Sequence, residues 1–135
     1  MLKQEVTKRL PALKERKPVL DPPCSVIATL KLFATKWKPC ILCYLMEKPR
    51  RYNELFRIIP NISRKMLSEH LAELIRDALI VRTQYDLKRQ RVEYRLSEKG
   101  KTLLPLLTQI QHWGMEHLQG VLSIREMIGQ TDLNK

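Results

Sequence analysis

Arg51-Tyr-Asn-Glu-Leu-Phe-Arg-Ile-Ile-Pro60, Asn61-Ile-Ser63, Arg64-Lys-Met-Leu-Ser-Glu-His-Leu-Ala-Glu-Leu-Ile-Arg-Asp77 and Ala78-Leu-Ile-Val-Arg82 form one continuous stretch. It reads as a short amphipathic segment, a tight turn, a longer amphipathic segment and a strand. Two helices joined by a turn of about 3–4 residues make a helix-turn-helix, which presents its second helix to the DNA major groove. Pro60 ends the first helix, because the residue before a proline is driven out of the α region. Ser63 suits the N-cap of the second, where its hydroxyl accepts a bond from an otherwise unpaired amide. Leu67, Leu71, Leu74, Ile75 and Ala78 recur at spacings of three and four, which predicts one apolar stripe. That leaves Arg64, Lys65, Ser68 and Glu69 on other faces near the N-terminal end, where a recognition helix carries its base-reading side chains. Arginine or lysine there suits guanine edges, and Ser63 with the helix N-terminus suits a phosphate.

The rest of the composition agrees with a polyanionic partner. The chain has 135 residues and a formal charge of +11, with 25 Lys+Arg against 14 Asp+Glu. At 44% hydrophobic and 29% charged it is expected to be globular, with one real core. The excess charge is uneven. Lys36 to Lys65 holds eight basic and two acidic residues, and Arg82 to Lys101 holds seven and three. Thr102 to Lys135 holds only two basic and three acidic residues, so the last third carries none of the excess. Such a distribution favours a DNA face on one side and a protein–protein role for the tail. Three cysteines are too few and too odd in number for a disulfide scaffold. With no apolar run of about 18 residues and no signal-peptide core, a cytoplasmic protein without membrane contact is expected.

Outward from the central stretch, residues 1–20 form a basic arm broken by Pro11 and Pro18, with room for a short helix over Leu2–Leu10; a frayed end is the default reading, and a DNA-contacting arm or a piece of the dimer interface the alternatives. Asp21-Pro22-Pro23-Cys24-Ser25 is a rigid turn, and Ser25 is placed to cap a helix from Val26 to about Ala34. Pro39 fits the first turn of the next helix, where a missing N–H costs nothing, and Thr35 is placed to help that helix begin. Arg50 and Arg51, just before the central stretch, are candidate contacts to DNA backbone. After Arg82, Leu79 to Tyr85 and Arg91 to Leu96 read as two strands around a polar loop, Asp86 to Gln90. Val92, Tyr94 and Leu96 fall on one face of the second strand. A basic-tipped hairpin directly after a recognition helix is the wing of a winged helix-turn-helix. Lys88, Arg89 and Arg91 are its candidate contacts to phosphates or a minor groove. Ser97 then caps a long helix, in which Pro105 marks a kink or a late true start. Leu103, Leu107, Ile110, Trp113 and Leu118 are its main apolar positions and the candidate dimer interface. Val121 to Ile128 is expected to add a last short helix.

Taken in order, these residues resemble the HxlR-type winged helix-turn-helix regulators over about residues 24–114. The resemblance rests on Cys24-Ser-Val26, Lys36-Trp37 with Ile41-Leu42, Arg51-Tyr52-x-Glu54-Leu55, and Ile59-Pro60-x-Ile62-Ser63-x-Lys65-Met66-Leu67. It continues through Leu71-x-Glu73-Leu74, Asp77-x-Leu79-Ile80-x-Arg82, Val92-Glu93-Tyr94-x-Leu96, Gly100 and Trp113-Gly114. It implies a homodimeric regulator on a near-palindromic operator. It also implies, for several members, thiol or electrophile sensing through the cysteine that corresponds to Cys24. Ala34-Thr35 stands where the family often has Gly-Gly. Asn61 stands where glycine is usual, and asparagine tolerates the left-handed turn. The wing lacks the family's prolines and reads Lys88-Arg-Gln-Arg91.

Several residues carry a sharper and a blander reading. Cys24 lies just before a helix N-terminus, which favours the reactive thiolate; the alternative is a small packed residue. Cys40 and Cys43 share a helical face but lack the second ligand pair of a zinc site, so core packing is the default and neither metal nor cofactor is expected. Trp37 and Trp113 read as core or interface anchors, or as lining for a small-molecule effector pocket at the junction of the DNA-binding module and the dimer helix. His70 reads as a surface residue or a partner to a neighbour. No Gly-rich phosphate loop, His-Glu-x-x-His or Gly-x-Ser-x-Gly motif supports an enzyme. The resulting expectation is a mostly α fold with a small β-hairpin wing: residues 1–20 an arm, 21–101 the DNA-binding domain, 102–135 a dimerisation helix. A nonspecific architectural DNA binder or a protein-interaction winged helix is the alternative, and the first would show sequence-independent affinity.

Overall fold

Helical periodicity becomes helices at the expected places in the computed structural model, which describes residues 24–86, 88 and 91–133. The basic arm, including Leu2–Leu10, lies outside the described residues. The chain divides into two compact units between Phe33 and Ala34. The described part of the first is α1, Ser25–Phe33, which begins one residue earlier than expected. Its first-turn bond runs from the Ala28 N–H to the Cys24 carbonyl (2.9 Å), so Cys24, not Ser25, stands at the helix start.

The second unit contains α2 (Lys38–Glu47), α3 (Tyr52–Ile58), α4 (Arg64–Arg76), β1 (Ile80–Asp86), β2 (Arg91–Leu96), α5 (Glu98–Lys101), α6 (Leu104–His117) and α7 (Ile124–Leu133). Pro39 sits in the first turn of α2, and the Thr35 hydroxyl accepts from the Lys38 N–H at 3.2 Å. Between α3 and α4 the chain reverses through Asn61, whose φ of 64° is the left-handed conformation expected of it. The hairpin pairs antiparallel, with Ile80 opposite Leu96, Arg82 opposite Tyr94 and Gln84 opposite Val92. Arg50 adds an isolated antiparallel bridge to Tyr94. Its N–H donates to the Tyr94 carbonyl (2.9 Å) and its carbonyl accepts from the Tyr94 N–H (2.7 Å), so the segment leading into α3 is fastened to the wing.

The core forms where these elements meet. Ile41, Leu42, Leu55, Leu67, Leu71, Leu74, Leu79 and Ile80 are all fully or nearly fully buried. The long helix expected after Ser97 is two helices. Ser97 caps the four-residue α5, accepting from the Gly100 N–H (2.9 Å), and Pro105 falls in the first turn of α6. Pro105 therefore marks a late start. Gly100 is required by close approach: a Cβ there would lie 2.0 Å from the Leu79 carbonyl oxygen, which already accepts the Ser97 N–H at 3.0 Å. Among the described residues no helix is long and apolar enough to cross a membrane.

Candidate nucleic-acid interface

Burial sets which face of α4 points outward. Leu67, His70, Leu71 and Leu74 are the buried side chains, a helical stripe of i, i+3, i+4 and i+7. Three buried leucines at roughly 2 kcal/mol each outweigh a cap worth about 1 kcal/mol, so packing rather than capping fixes the rotation of the helix. The expected stripe needs two corrections. Ile75 is 38% exposed, and Ala78 lies beyond the helix in the left-handed conformation, φ 61°. His70 takes the vacated place. It is buried, so of its two expected places it takes that of a partner to neighbours and not the surface one, with its ring 6.3 Å from that of Trp37. Its Nδ1 has no hydrogen-bond partner and lies 3.5 Å from Glu73 Oε1.

The same rotation exposes Ser63, Arg64, Lys65, Ser68 and Glu69 together. Ser63 caps the helix, its hydroxyl accepting from the Met66 N–H at 3.1 Å. Arg64 is held from behind by α3: its guanidinium lies 4.2 Å from the Phe56 ring centre and 6.0 Å from that of Tyr52. The Tyr52 hydroxyl donates to the Arg64 carbonyl (3.1 Å) and meets the Ser68 hydroxyl at 3.0 Å. Tyr52 and Phe56, four apart on α3, are site residues that sequence reasoning missed. Their spacing was the available signal. Stacking a guanidinium on aromatic rings reduces the freedom that Arg64 would lose on reaching a base.

Lys38 ties this helix to α2. Its ammonium group is buried and donates to Glu73 Oε2 at 3.3 Å. The hydrogen bond from Lys38 is the main reason that the Glu73 carboxyl is held below its ordinary range.

The two candidate backbone contacts before α3 part company. Arg51 is exposed, with its backbone N–H donating to Glu54 Oε1 at 3.2 Å. Arg50 is 1% exposed: its guanidinium pairs with Glu47, Nε donates to the Tyr44 carbonyl (3.4 Å), and the group lies 5.7 Å from the Tyr44 ring centre. Arg50 is a structural residue and leaves the set of DNA contacts. In the wing, Lys88 and Arg91 are exposed, and Arg89 lies outside the described residues.

The apolar positions of α6 also divide. Leu107 is 5% exposed and belongs to the protomer's own core, contrary to its expected interface role. Leu103 is half-buried. Ile110, Trp113 and Leu118 are 47%, 59% and 52% exposed, as are, to a similar degree, Met115, Val121 and Leu122, which the sequence reading did not single out. Trp113 stacks on His117, with ring centres 4.6 Å apart. The described apolar cavity between α2, α6 and α7 lies where the DNA-binding module meets the C-terminal helices, but neither tryptophan lines it.

A family model, the HxlR-like helix-turn-helix, matches residues 32–121. The chain belongs to this family. An uncharacterized HTH-type transcriptional regulator, YtcD of Bacillus subtilis strain 168, is 43% identical over 97 residues, covering 72% of this chain and 77% of that protein. The crystal structure of the putative HTH-type transcriptional regulator ytcD matches with a TM-score of 0.67 at 41% identity, covering 70% of this chain and 96% of that one. The redox regulator HypR in its reduced form matches with a TM-score of 0.66 at 35% identity, covering 69% and 92%. The reduced form of the regulator YodB from B. subtilis matches with a TM-score of 0.65 at 30% identity, covering 73% and 98%. The HxlR-like chain described here is accordingly a transcriptional regulator with a winged helix-turn-helix DNA-binding fold, not an enzyme.

Proposed function

We propose that the chain binds a near-palindromic operator as a homodimer, with one α4 per subunit in successive major grooves. The observation that carries this reading is the shared exposure of Arg64, Lys65, Ser68 and Glu69 in the first two turns of α4, clear of its buried leucines. Arg64, braced on Phe56, is the base reader. Lys88, Arg89 and Arg91 of the wing and Arg51 bind flanking phosphates. Residues 102–135 supply the dimer contact through Ile110, Trp113 and Leu118, with Leu103 at its margin. Large side chains exposed together on a helix of low net charge favour that assignment.

Reaction of the Cys24 thiol is the signal in this reading. Cys24 stands at the start of α1, and two similar proteins of solved structure are named, HypR as a redox regulator and YodB as a regulator in reduced and diamide-treated forms. Movement of the two recognition helices by a few ångströms suffices to uncouple the half-sites, since both must be engaged together.

The test is the affinity of the reduced protein for its own upstream DNA against a scrambled fragment at two salt concentrations. A preference of about 10³-fold or more is expected. Equal affinities with a steep salt slope would leave backbone binding alone and favour an architectural role. Repeating the measurement with oxidised wild type and with Cys24→Ser separates the signal from the binding.

A further inference from the structure

An apolar cavity of about 260 Å³ lies between α2, α6 and α7, and its lining includes Cys40, Cys43, Leu107, Ile110, Val121 and Met127. Cys40 and Cys43 are three residues apart on α2, so their Cβ atoms lie about 5–6 Å apart on one face of the helix. Both are free thiols. Burial pushes the Cys40 thiol up, and burial together with the neighbouring Cys40 pushes Cys43 up to about 11. Near neutral pH the cavity therefore holds two protonated, uncharged thiols. They lack the thiolate character that a nucleophilic sensor needs.

We propose that this cavity is a binding site for a trivalent organoarsenical, chelated by the Cys40 and Cys43 thiols with its organic group in the apolar lining. The reaction balances without any co-reactant. A species R–As(OH)2 meets two S–H groups, two As–O and two S–H bonds break, two As–S bonds form, and two waters leave. Arsenic stays trivalent, and nothing is oxidised or reduced. The adduct is neutral, which decides between this ligand and a monovalent soft metal cation. A monovalent cation between two thiolates would leave a net negative charge among apolar side chains, at a desolvation cost of several kcal/mol. The volume decides between an organic and an inorganic arsenical. The cavity is far larger than one atom, and unfilled apolar space forfeits dispersion contacts that an aryl group would make. Because α2 begins at Lys38, which holds Glu73 of α4, the occupied site would sit on the element that positions the recognition helix. The binding itself does not depend on the operator reading and is measured without DNA.

Phenylarsine oxide is the probe, added to the reduced full-length chain and followed by mass spectrometry with iodoacetamide alkylation in denaturant, where all three thiols of the arsenical-free control react. One arsenical per chain is expected, with Cys40 and Cys43 protected and Cys24 still alkylated. Cys43 is packed in the core, so Cys40→Ser is the informative variant. It should weaken binding by about 100-fold, because the second As–S bond is a high-effective-concentration intramolecular step, while Cys24→Ser should bind like wild type. Inorganic arsenite should bind at least about tenfold more weakly, a difference of roughly 1.4 kcal/mol. Protection of Cys24 in place of the pair, near-normal binding by a folded Cys40→Ser chain, or equal binding of arsenite and the phenyl compound would each overturn the proposal. The protection pattern in wild type decides the matter even if a variant fails to fold.

Discussion

Arg50→Ala and Arg51→Ala are adjacent substitutions with opposite expected consequences. Arg50 is 1% exposed, so truncation removes two buried methylenes worth about 0.8 kcal/mol each. It also strips the Tyr44 carbonyl of its Nε donor, worth about 1 kcal/mol. Glu47, whose side chain is 42% exposed, can rehydrate, and the guanidinium no longer has to be desolvated. The net loss is about 2 kcal/mol, which for a chain of this size lowers Tm by roughly 8 °C. Arg50→Met keeps the apolar stem and should stay within about 1 kcal/mol of wild type. None of the Arg50 variants that stay folded should change the salt dependence of DNA binding. Arg51→Ala should do the reverse: Tm within about 2 °C of wild type, and a slope of log affinity against log salt that is shallower by about 0.9, the signature of one lost phosphate contact. Circular-dichroism melts and fluorescence anisotropy across a salt series read both quantities. An Arg50→Ala protein that melts like wild type but binds DNA with a shallower salt slope would refute the reasoning.

Three further outcomes follow from single contacts. Gly100→Ala must push a Cβ away from the Leu79 carbonyl, 2.0 Å off in the present geometry, and should lower stability by about 2–4 kcal/mol in a denaturant melt; a loss under about 0.5 kcal/mol would contradict the packing at α5. Ser63→Ala removes the cap on the Met66 amide and should lower stability by about 1 kcal/mol, with specific DNA binding reduced further if the α4 N-terminus holds a phosphate. Glu73 has a depressed carboxyl pKa, so its contribution is present at neutral pH and disappears as pH falls below its ordinary value of 4.5. Wild type should therefore lose more Tm than Glu73→Gln between about pH 5 and pH 3, and equal losses would show that the Lys38 contact carries no stability.

Much of the fold was legible because its signals are local. Pro60, Asn61 and Ser63 punctuate the turn by backbone conformation and by one side-chain bond, and each acts within three residues. Alternation in Arg91–Leu96 and helical spacing in α4 likewise need no distant partner to be read. Pro105 left two readings open, a kink or a late start, because the break after Thr102 depends on how α5 seats Gly100 against Leu79.

The candidate site was legible only as a set of residue types. Sequence alone determined that a basic helix N-terminus follows a tight turn, that a hairpin follows the helix, and that the family pattern runs through both. Tertiary structure decided which members of that set face outward. Arg50 and Arg51 are neighbours of one type, yet the bridge to Tyr94 turns one inward and leaves the other in solvent. His70 fills the core face of α4 while Ile75 is left out of it, and Leu107 packs within the protomer while Trp113 does not. Burial is a property of the contact between elements, and it depends on the rotation of each helix about its axis. That rotation is set by summed packing of many residues distant in sequence, which no local pattern contains.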